Sequence, residues 1–252
     1  MSWTLHFLGT GAAHATALGS SAAVLEREGE PVLLIDCGPG TLDRYQAAYG
    51  RPPHALYLTH AHMDHVGDLE RLFFRAWFDP GWRGAVRLFA HAGLLPWLQG
   101  RVADYPKVLA EGGVNFWEAF RLLPCSRGFW LDGLWFDVFG TRHHMPGTSF
   151  GLALAGSFAY TGDTRPVPEM LARHAGGEEL IAHDCGLVGN PSHTGLDDLA
   201  REYPPALRAR LLLYHYGSAA DGEALAAAGY RVARAGERIL LPSPPPPRAD
   251  AG

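Results

Sequence analysis

The chain has 252 residues, 47% of them hydrophobic and 19% charged, which suits one or two soluble globular domains with an ample core. A formal charge of −5 leaves no global basic field to recruit nucleic acid, and no apolar run is long enough to span a bilayer. The three cysteines, Cys37, Cys125 and Cys185, are odd in number and far apart, so neither a disulfide framework nor a cysteine-based zinc site is indicated and small buried thiols are expected.

Met1 to Leu8 lacks the basic region, long apolar stretch and small-residue cleavage site of a secretory leader, so a cytoplasmic location is expected, and Trp3 to Leu8 reads as a first strand. It runs into Gly9-Thr10-Gly11, for which a turn with positive φ and a phosphate-binding loop are both open readings. Strands at Ser21 to Glu26 and Pro31 to Asp36 flank the charged turn Arg27 to Glu30. Asp36-Cys37-Gly38-Pro39-Gly40-Thr41 then opens a helix through Tyr49. Asp36 has two readings, as a helix-entry residue and as a carboxylate that accepts the free N–H of a metal-ligating histidine.

The apolar run Ala55 to Leu58 reads as a buried strand, and it ends in Thr59-His60-Ala61-His62-Met63-Asp64-His65. Four potential ligands within six positions exceed what a helix cap requires. Imidazole suits zinc, iron or nickel, and a carboxylate adds charge and can move between holding an ion and holding its water. His60 and His62 can converge on one ion, while Asp64 and His65, set on the incoming helix turn, can reach a second. This His-x-His-x-Asp-His stretch resembles the signature of the metallo-β-lactamase superfamily. The resemblance implies an α/β protein, a four-layer αββα sandwich with a dinuclear site at one edge of its two sheets.

Leu69 to Phe78 is helical by its spacing of apolar residues, and Phe74, Phe78 and Trp82 add apolar area beyond one stripe. Core packing, a substrate wall and a homodimer contact would each use that area. Val86 to Ala90 reads as a strand, and Gly93 to Ala110 as helical pieces broken at Pro96, Gly100 and Pro106. Phe116 to Leu123, Phe129 to Leu131 and Leu134 to Phe139 are strand-like, the last two joined by the hairpin turn Asp132-Gly133.

The polar loop Thr141-Arg142-His143-His144-Met145-Pro146-Gly147 follows, where the resemblance implies a third histidine of the first metal site. His144 fits that position better than His143, and one of the pair is expected to be the ligand. A return strand, Ser157 to Tyr160, leads into Thr161-Gly162-Asp163-Thr164, which matches the family's bridging-aspartate turn. A carboxylate between two cations lets them sit roughly 3.5–4 Å apart. Beyond it come a helix at Val167 to His174, a strand at Glu179 to Ala182, and Thr194 as the expected cap of the next helix. Leu211 to Tyr214 is a buried strand ending at His215, the position of the family's last ligand. A helix at Ala219 to Ala228 and two short strands complete a single domain over residues 1–242, and the Pro-rich tail, 243–252, is expected to be extended or disordered.

The resemblance thus implies His60, His62 and His144 on a first ion, Asp64, His65 and His215 on a second, and Asp163 between them. Zinc is the expected metal, with manganese or iron as alternatives. Two divalent ions lower the pKa of a shared bridging water so that hydroxide exists near neutral pH, and Asp64 can orient its attack, so hydrolysis follows.

His183-Asp184 followed by Pro191-Ser192-His193-Thr194 is similar to the ribonuclease Z branch, as are Leu5-x-Phe7-Leu8-Gly9-Thr10-Gly11 and the Asp36 turn. That similarity implies that His193, oriented by Asp184, assists phosphodiester cleavage; the plain alternative is that His193 only starts a helix. Members of that branch that process transfer RNA carry a long RNA-gripping arm between the third histidine and the bridging aspartate. Here His144 and Asp163 are 19 positions apart, too few for an arm, so extended RNA is not the expected partner. The expectation is a phosphodiesterase for a small cyclic or short linear phosphodiester. The alternatives are hydrolysis of a carboxylic ester, lactone or thioester, ribonuclease Z-like RNA processing, and a non-catalytic binding module.

Overall fold

The computed structural model describes residues 2–104 and 114–246. Strands β1 (Trp3–Gly9), β2 (Ala22–Arg27) and β3 (Glu30–Ile35) form an antiparallel meander, to which β4 (Ala55–Leu58), β5 (Arg87–His91) and β6 (Arg121–Cys125) add in parallel. Parallel addition needs crossover connections. They are supplied by α1 (Thr41–Tyr49), the pair α2 (Met63–Val66) and α3 (Leu69–Phe78), and α4 (Leu95–Leu98).

The second half repeats the logic. Strands β7 (Gly128–Leu131), β8 (Leu134–Gly140), β9 (Phe150–Leu154) and β10 (Phe158–Tyr160) are antiparallel, and β11 (Leu180–Asp184), β12 (Leu211–Tyr214) and β13 (Arg231–Val232) extend them in parallel. Helices α5 (Pro168–His174), α6 (Leu196–Glu202), α7 (Pro205–Arg208) and α8 (Ala219–Ala227) make those crossovers, and β14 (Arg238–Leu241) returns to pair with β1. The result is two seven-stranded sheets, ordered β14-β1-β2-β3-β4-β5-β6 and β13-β12-β11-β10-β9-β8-β7.

Central strands β4 and β12 are buried along their whole length, as parallel strands covered on both faces must be, and this is why they read as unbroken apolar runs. The sheets meet through stacked aromatics, among them Phe89 on Phe129 with ring centroids 4.1 Å apart and Tyr57 on Phe129 at 5.7 Å. A second apolar cluster, including Leu171, Leu199 and Leu225 against Ile181 and Leu213, seats the outer helices on the second sheet. The arrangement is the expected four-layer αββα sandwich. β4, β10 and β12 lead into ligand-bearing loops, and β11 ends on Asp184, so one edge of the sandwich gathers the polar residues.

Several local readings need correction. Phe116–Ala119 forms a 3₁₀ turn, with the Asn115 side chain accepting from Trp117 N, and only from Arg121 is the chain a strand. Gly9 and Gly11 do not have positive φ; a Cβ on them would lie 2.2 Å from Ser20 O and 2.6 Å from Ala15 O, so close backbone approach demands glycine there. Thr194 does not cap α6, because its hydroxyl donates to Thr164 O. Pro96 sits in the first turn of α4, and the chain continues through Gly100 as a π-helical turn, Gln99–Ala103. Pro106 lies outside the described residues.

Of the aromatic segment after α2, Phe73 is fully buried, Trp82 stacks on His54, Trp77 lies under the Arg83 guanidinium, and Phe78 is 66% exposed. The segment therefore serves mainly as core. At the C-terminus Pro245 and Pro246 line a cleft with the cross-strand pair Trp130 and Trp135, and residues 247–252 lie outside the described residues. Among the described residues no helix is long and apolar enough to cross a membrane.

Candidate metal centre

His60 closes β4 and is pinned by an isolated bridge to Ser149, which ties the first sheet to the β8–β9 loop of the second. His62 stands in extended conformation just before α2, and the first turn of that short helix carries Asp64 and His65. The turn at Gly38 packs against this loop so closely that a Cβ there would fall on the Asp64 carbonyl. Asp163 follows β10, and His215 follows β12 with φ of 66°, its backbone N–H donating to Thr10 O at 2.8 Å. A non-glycine residue in the left-handed region is costly, and here the surrounding structure holds it where the ring faces the cluster.

The side chains meet in two groups that share Asp163. In the first, His60 Nε2 and His143 Nε2 each lie 3.1 Å from His62 Nδ1, and 3.7 and 3.9 Å from Asp163 Oδ2. In the second, His65 Nε2 is 3.4 Å from Asp64 Oδ2 and 3.2 Å from Asp163 Oδ1, and His215 Nε2 is 3.6 Å from Asp64 Oδ2 and 3.3 Å from Asp163 Oδ2. The expected residues His60, His62, Asp64, His65, Asp163 and His215 are therefore brought together.

His144 is not brought in. The structure puts His143 in the first group and turns His144 outward, where its φ is 51°, its ring is exposed and its Nδ1 lies 3.3 Å from Ser192 Oγ. His143 is instead buried and its Nδ1 donates to Ser192 O at 2.9 Å, which leaves Nε2 free to face the centre. Two adjacent histidines in one loop look alike in sequence. Only the left-handed backbone at the second decides between them.

The outward ring nitrogens are anchored too. Asp36, fully buried and at φ of 63°, accepts from His65 Nδ1 at 2.8 Å and from the Thr59 hydroxyl, which in turn accepts from His60 Nδ1 at 3.0 Å. One carboxylate thus fixes the tautomer and orientation of two histidines, the role open to Asp36 from sequence. Thr59 and the Ser192 carbonyl were invisible there, since neither residue type in such a loop carries a signal of its own.

The donor set fits divalent cations on an observation independent of any motif. His65 Nε2, His215 Nε2 and Asp163 Oδ1 are buried and have no hydrogen-bond partner among the described residues. Buried polar atoms are rarely left so. Imidazole and carboxylate atoms converging at these distances are the ligands that borderline transition metals take.

Electrostatics follow the geometry. Burial pushes His143 down to about 4, and it drives His60 down as well. His215 is penalised by burial, yet Asp163, Asp184 and Asp64 outweigh that and raise it to about 10; Asp163 and Asp36 raise His65 in the same way.

Beside the two groups, His193 Nδ1 lies 2.9 Å from Asp184 Oδ2, and the same oxygen accepts from Thr164 N at 2.9 Å. Asp184 Oδ1 is 3.4 Å from His215 Nδ1, so this carboxylate faces both rings. A cavity of about 440 Å³ opens in front of His193, Asp64 and Asp163, and a second of about 290 Å³, which shares His62 with it, starts at His60, His62 and His143.

Comparison with known proteins places this geometry. The chain is 31% identical over 228 residues to the Anti-Pycsar protein Apyc1 of Paenibacillus harenae, covering 86% of this chain and 91% of that one. It is 36% identical over 156 residues to Ribonuclease TTHA0252 of Thermus thermophilus, a match to 57% of this chain and 34% of the relative. The metallo-β-lactamase fold protein YhfI from Bacillus subtilis superposes with a TM-score of 0.72 over 95% of this chain and all of that one at 15% identity, which shows the fold. The description "Anti-Pycsar protein Apyc1" matches residues 3–239, and the chain belongs to that family, within the metallo-β-lactamase fold.

Proposed function

We propose that the protein is a metal-dependent phosphodiesterase that hydrolyses a small cyclic or short linear phosphodiester, a cyclic nucleotide being the compact form that suits its cavities. The observation that carries this reading is the His193–Asp184 pair at the rim of the shared ligand groups, a proton donor beside a cation centre. The ribonuclease relative supports phosphorus as the reacting atom.

His60, His62 and His143 would hold one ion, Asp64, His65 and His215 a second, with Asp163 between; zinc is the first choice and manganese or iron the alternatives. Ions held there supply Lewis acidity toward the phosphoryl oxygens and acidify water. Burial opposes the charge on Asp64, but the imidazoles of His215 and His65, whose Nε2 atoms lie 3.6 and 3.4 Å from Asp64 Oδ2, outweigh it and keep the carboxylate ionised, so it can accept a hydrogen bond from the attacking water and aim it. Burial also opposes the charge on His193, and the bond to Asp184 outweighs it and raises its pKa. With Nδ1 donating to Asp184, Nε2 is left to give its proton to the leaving oxygen. Residues 1–242 act as one catalytic unit, and three free, buried thiols accord with a cytoplasmic setting.

The test combines metal analysis of purified protein with turnover of bis(p-nitrophenyl) phosphate, a 3′,5′-cyclic nucleotide, p-nitrophenyl acetate and a lactone, each with added zinc or manganese. About two metals per chain and a preference for the diesters are expected. Activity on the acyl substrates alone would move the protein to ester or lactone hydrolysis, and no bound metal with no turnover would mark a binding module.

A further inference from the structure

Two cavities open on the ligand groups, and their chemistry differs. The one in front of His193 is lined by carboxylates and imidazoles, Asp64, Asp184 and His14 among them. The other shares His62 with it, adds His60, His143 and His144, and ends on Trp97, Arg101 and Met145. Trp97 and Met145 are 51% and 57% exposed, an unusual state for large apolar side chains beside a polar centre. Arg101 is drawn into no ion pair among the described residues and lines the same cavity.

The backbone under these residues is specialised. Trp97 belongs to α4, and Arg101 to the π-helical turn Gln99–Ala103 that follows it. Such turns re-aim side chains and recur at functional sites. Buried Leu98 and Val102 anchor the turn from inside, and Trp117 Nε1 donates to Gln99 Oε1 at 2.7 Å. Trp97 and Arg101 are thus presented on a fixed support.

We propose that this cavity is the subsite for the planar base of a nucleotide substrate, with Trp97 stacking on the base, Met145 covering its edge and Arg101 donating to its ring or carbonyl acceptors. The inference rests on the phosphodiesterase reading. The ribose of a cyclic nucleotide carries both ester oxygens and the base, so with the phosphorus at the shared ligand groups the base extends from the sugar into the adjoining cavity that offers a ring face, the one that holds Trp97. An indole face accepts any base, while the thioether adapts to its outline, so the subsite selects for a planar ring more than for one base identity.

The experiment uses the full-length, metal-loaded protein. Trp97→Ala, Trp97→Phe and Arg101→Ala are compared on a 3′,5′-cyclic nucleotide and on methyl ribofuranoside 3′,5′-cyclic phosphate, which lacks the base. Trp97→Ala should raise KM for the nucleotide roughly ten- to a hundredfold, the scale of base–aromatic stacking, with kcat changed little, and should leave kcat/KM for the base-free diester within about twofold. Trp97→Phe should recover most of the loss. In calorimetry, wild-type protein should prefer a nucleoside 5′-monophosphate over ribose 5-phosphate, and Trp97→Ala should erase that preference. Equal losses on both diesters, or no preference in wild type, would overturn the subsite. Failure of wild type to hydrolyse either diester would sink the phosphodiesterase reading instead, and the binding preference would still decide the subsite.

Discussion

Two buried polar constellations in this molecule solve the same problem in opposite ways. Glu26, fully buried in β2, has both carboxylate oxygens answered: Thr4 Oγ1 and Tyr49 Oη donate at 2.6 Å each, and Arg238 Nε lies 3.0 and 3.1 Å from the two oxygens. At the far edge, His65, His215 and Asp163 are as deeply buried, yet atoms of each face one another without a partner among the described residues. Burying unanswered polar atoms is costly, so the second arrangement is built around something that is not protein. Its outer shell makes the same point, because Asp36, Thr59 and Ser192 O hold the outward nitrogens while the inward ones are left open.

The most severe way to test that contrast is to remove the carboxylate common to both groups. Asp163→Asn, and likewise His62→Ala, should strip bound metal and cut hydrolysis by roughly a thousandfold or more, measured by metal analysis beside turnover. Retention of both metals with full rate in either variant would remove the assignment.

A smaller loss is expected from the proton donor. His193→Ala should keep its metal and lower phosphodiester turnover by roughly 10²–10⁴-fold, the usual scale for acid–base assistance. Because Asp184 raises the His193 pKa, turnover should fall as pH rises through that raised value, and Asp184→Asn should move the fall to lower pH. A His193→Ala variant as fast as wild type would make the residue a simple part of the loop before α6.

The pair in the β8–β9 loop discriminates more finely. His143→Ala should cost one of the two metals and about a hundredfold in rate, whereas His144→Ala should keep both metals and stay within a few-fold of wild type. The reverse pattern would restore the assignment that the loop spacing favours.

What the sequence disclosed follows a physical line. The dense ligand run at His60–His65, the apolar strands β4 and β12 and the turn at Asp163 announce themselves because their residue types recur at fixed local spacing. His143 against His144 depended on one backbone dihedral, and the glycines at 9 and 11 on how near two loops pass, neither of which local composition encodes. Phe116–Ala119 was read as strand because aromatic residues favour strands, whereas Asn115 capping and burial of Phe116 made a 3₁₀ turn the better use of them. Asp36 stood between two roles until the third dimension brought Thr59 and His65 to it. Trp97 offered nothing in sequence beyond an aromatic in a proline-broken segment.

The gentlest test reverses the logic and strikes the constellation that is complete. Burial alone pushes the Glu26 carboxyl up, but contacts from His6, Thr4, Tyr49 and Arg238 outweigh it and pull it from the ordinary 4.5 down to about 2. A carboxyl depressed on folding stabilises the protein fully above its unfolded pKa, and that stabilisation drains away as pH falls toward the folded value. Glu26→Gln should therefore cost about 3 kcal/mol at pH 7 in urea unfolding, and the gap to wild type should narrow between roughly pH 4.5 and pH 2. Turnover per folded molecule should not change, since Glu26 lies outside the ligand groups. A gap that stays constant through that window would mean the variant acts through packing rather than charge. Chelation should lower the stability of both proteins while leaving the Glu26 gap intact, because the Glu26 constellation is complete in protein groups and the His/Asp cluster leaves its inward atoms unanswered.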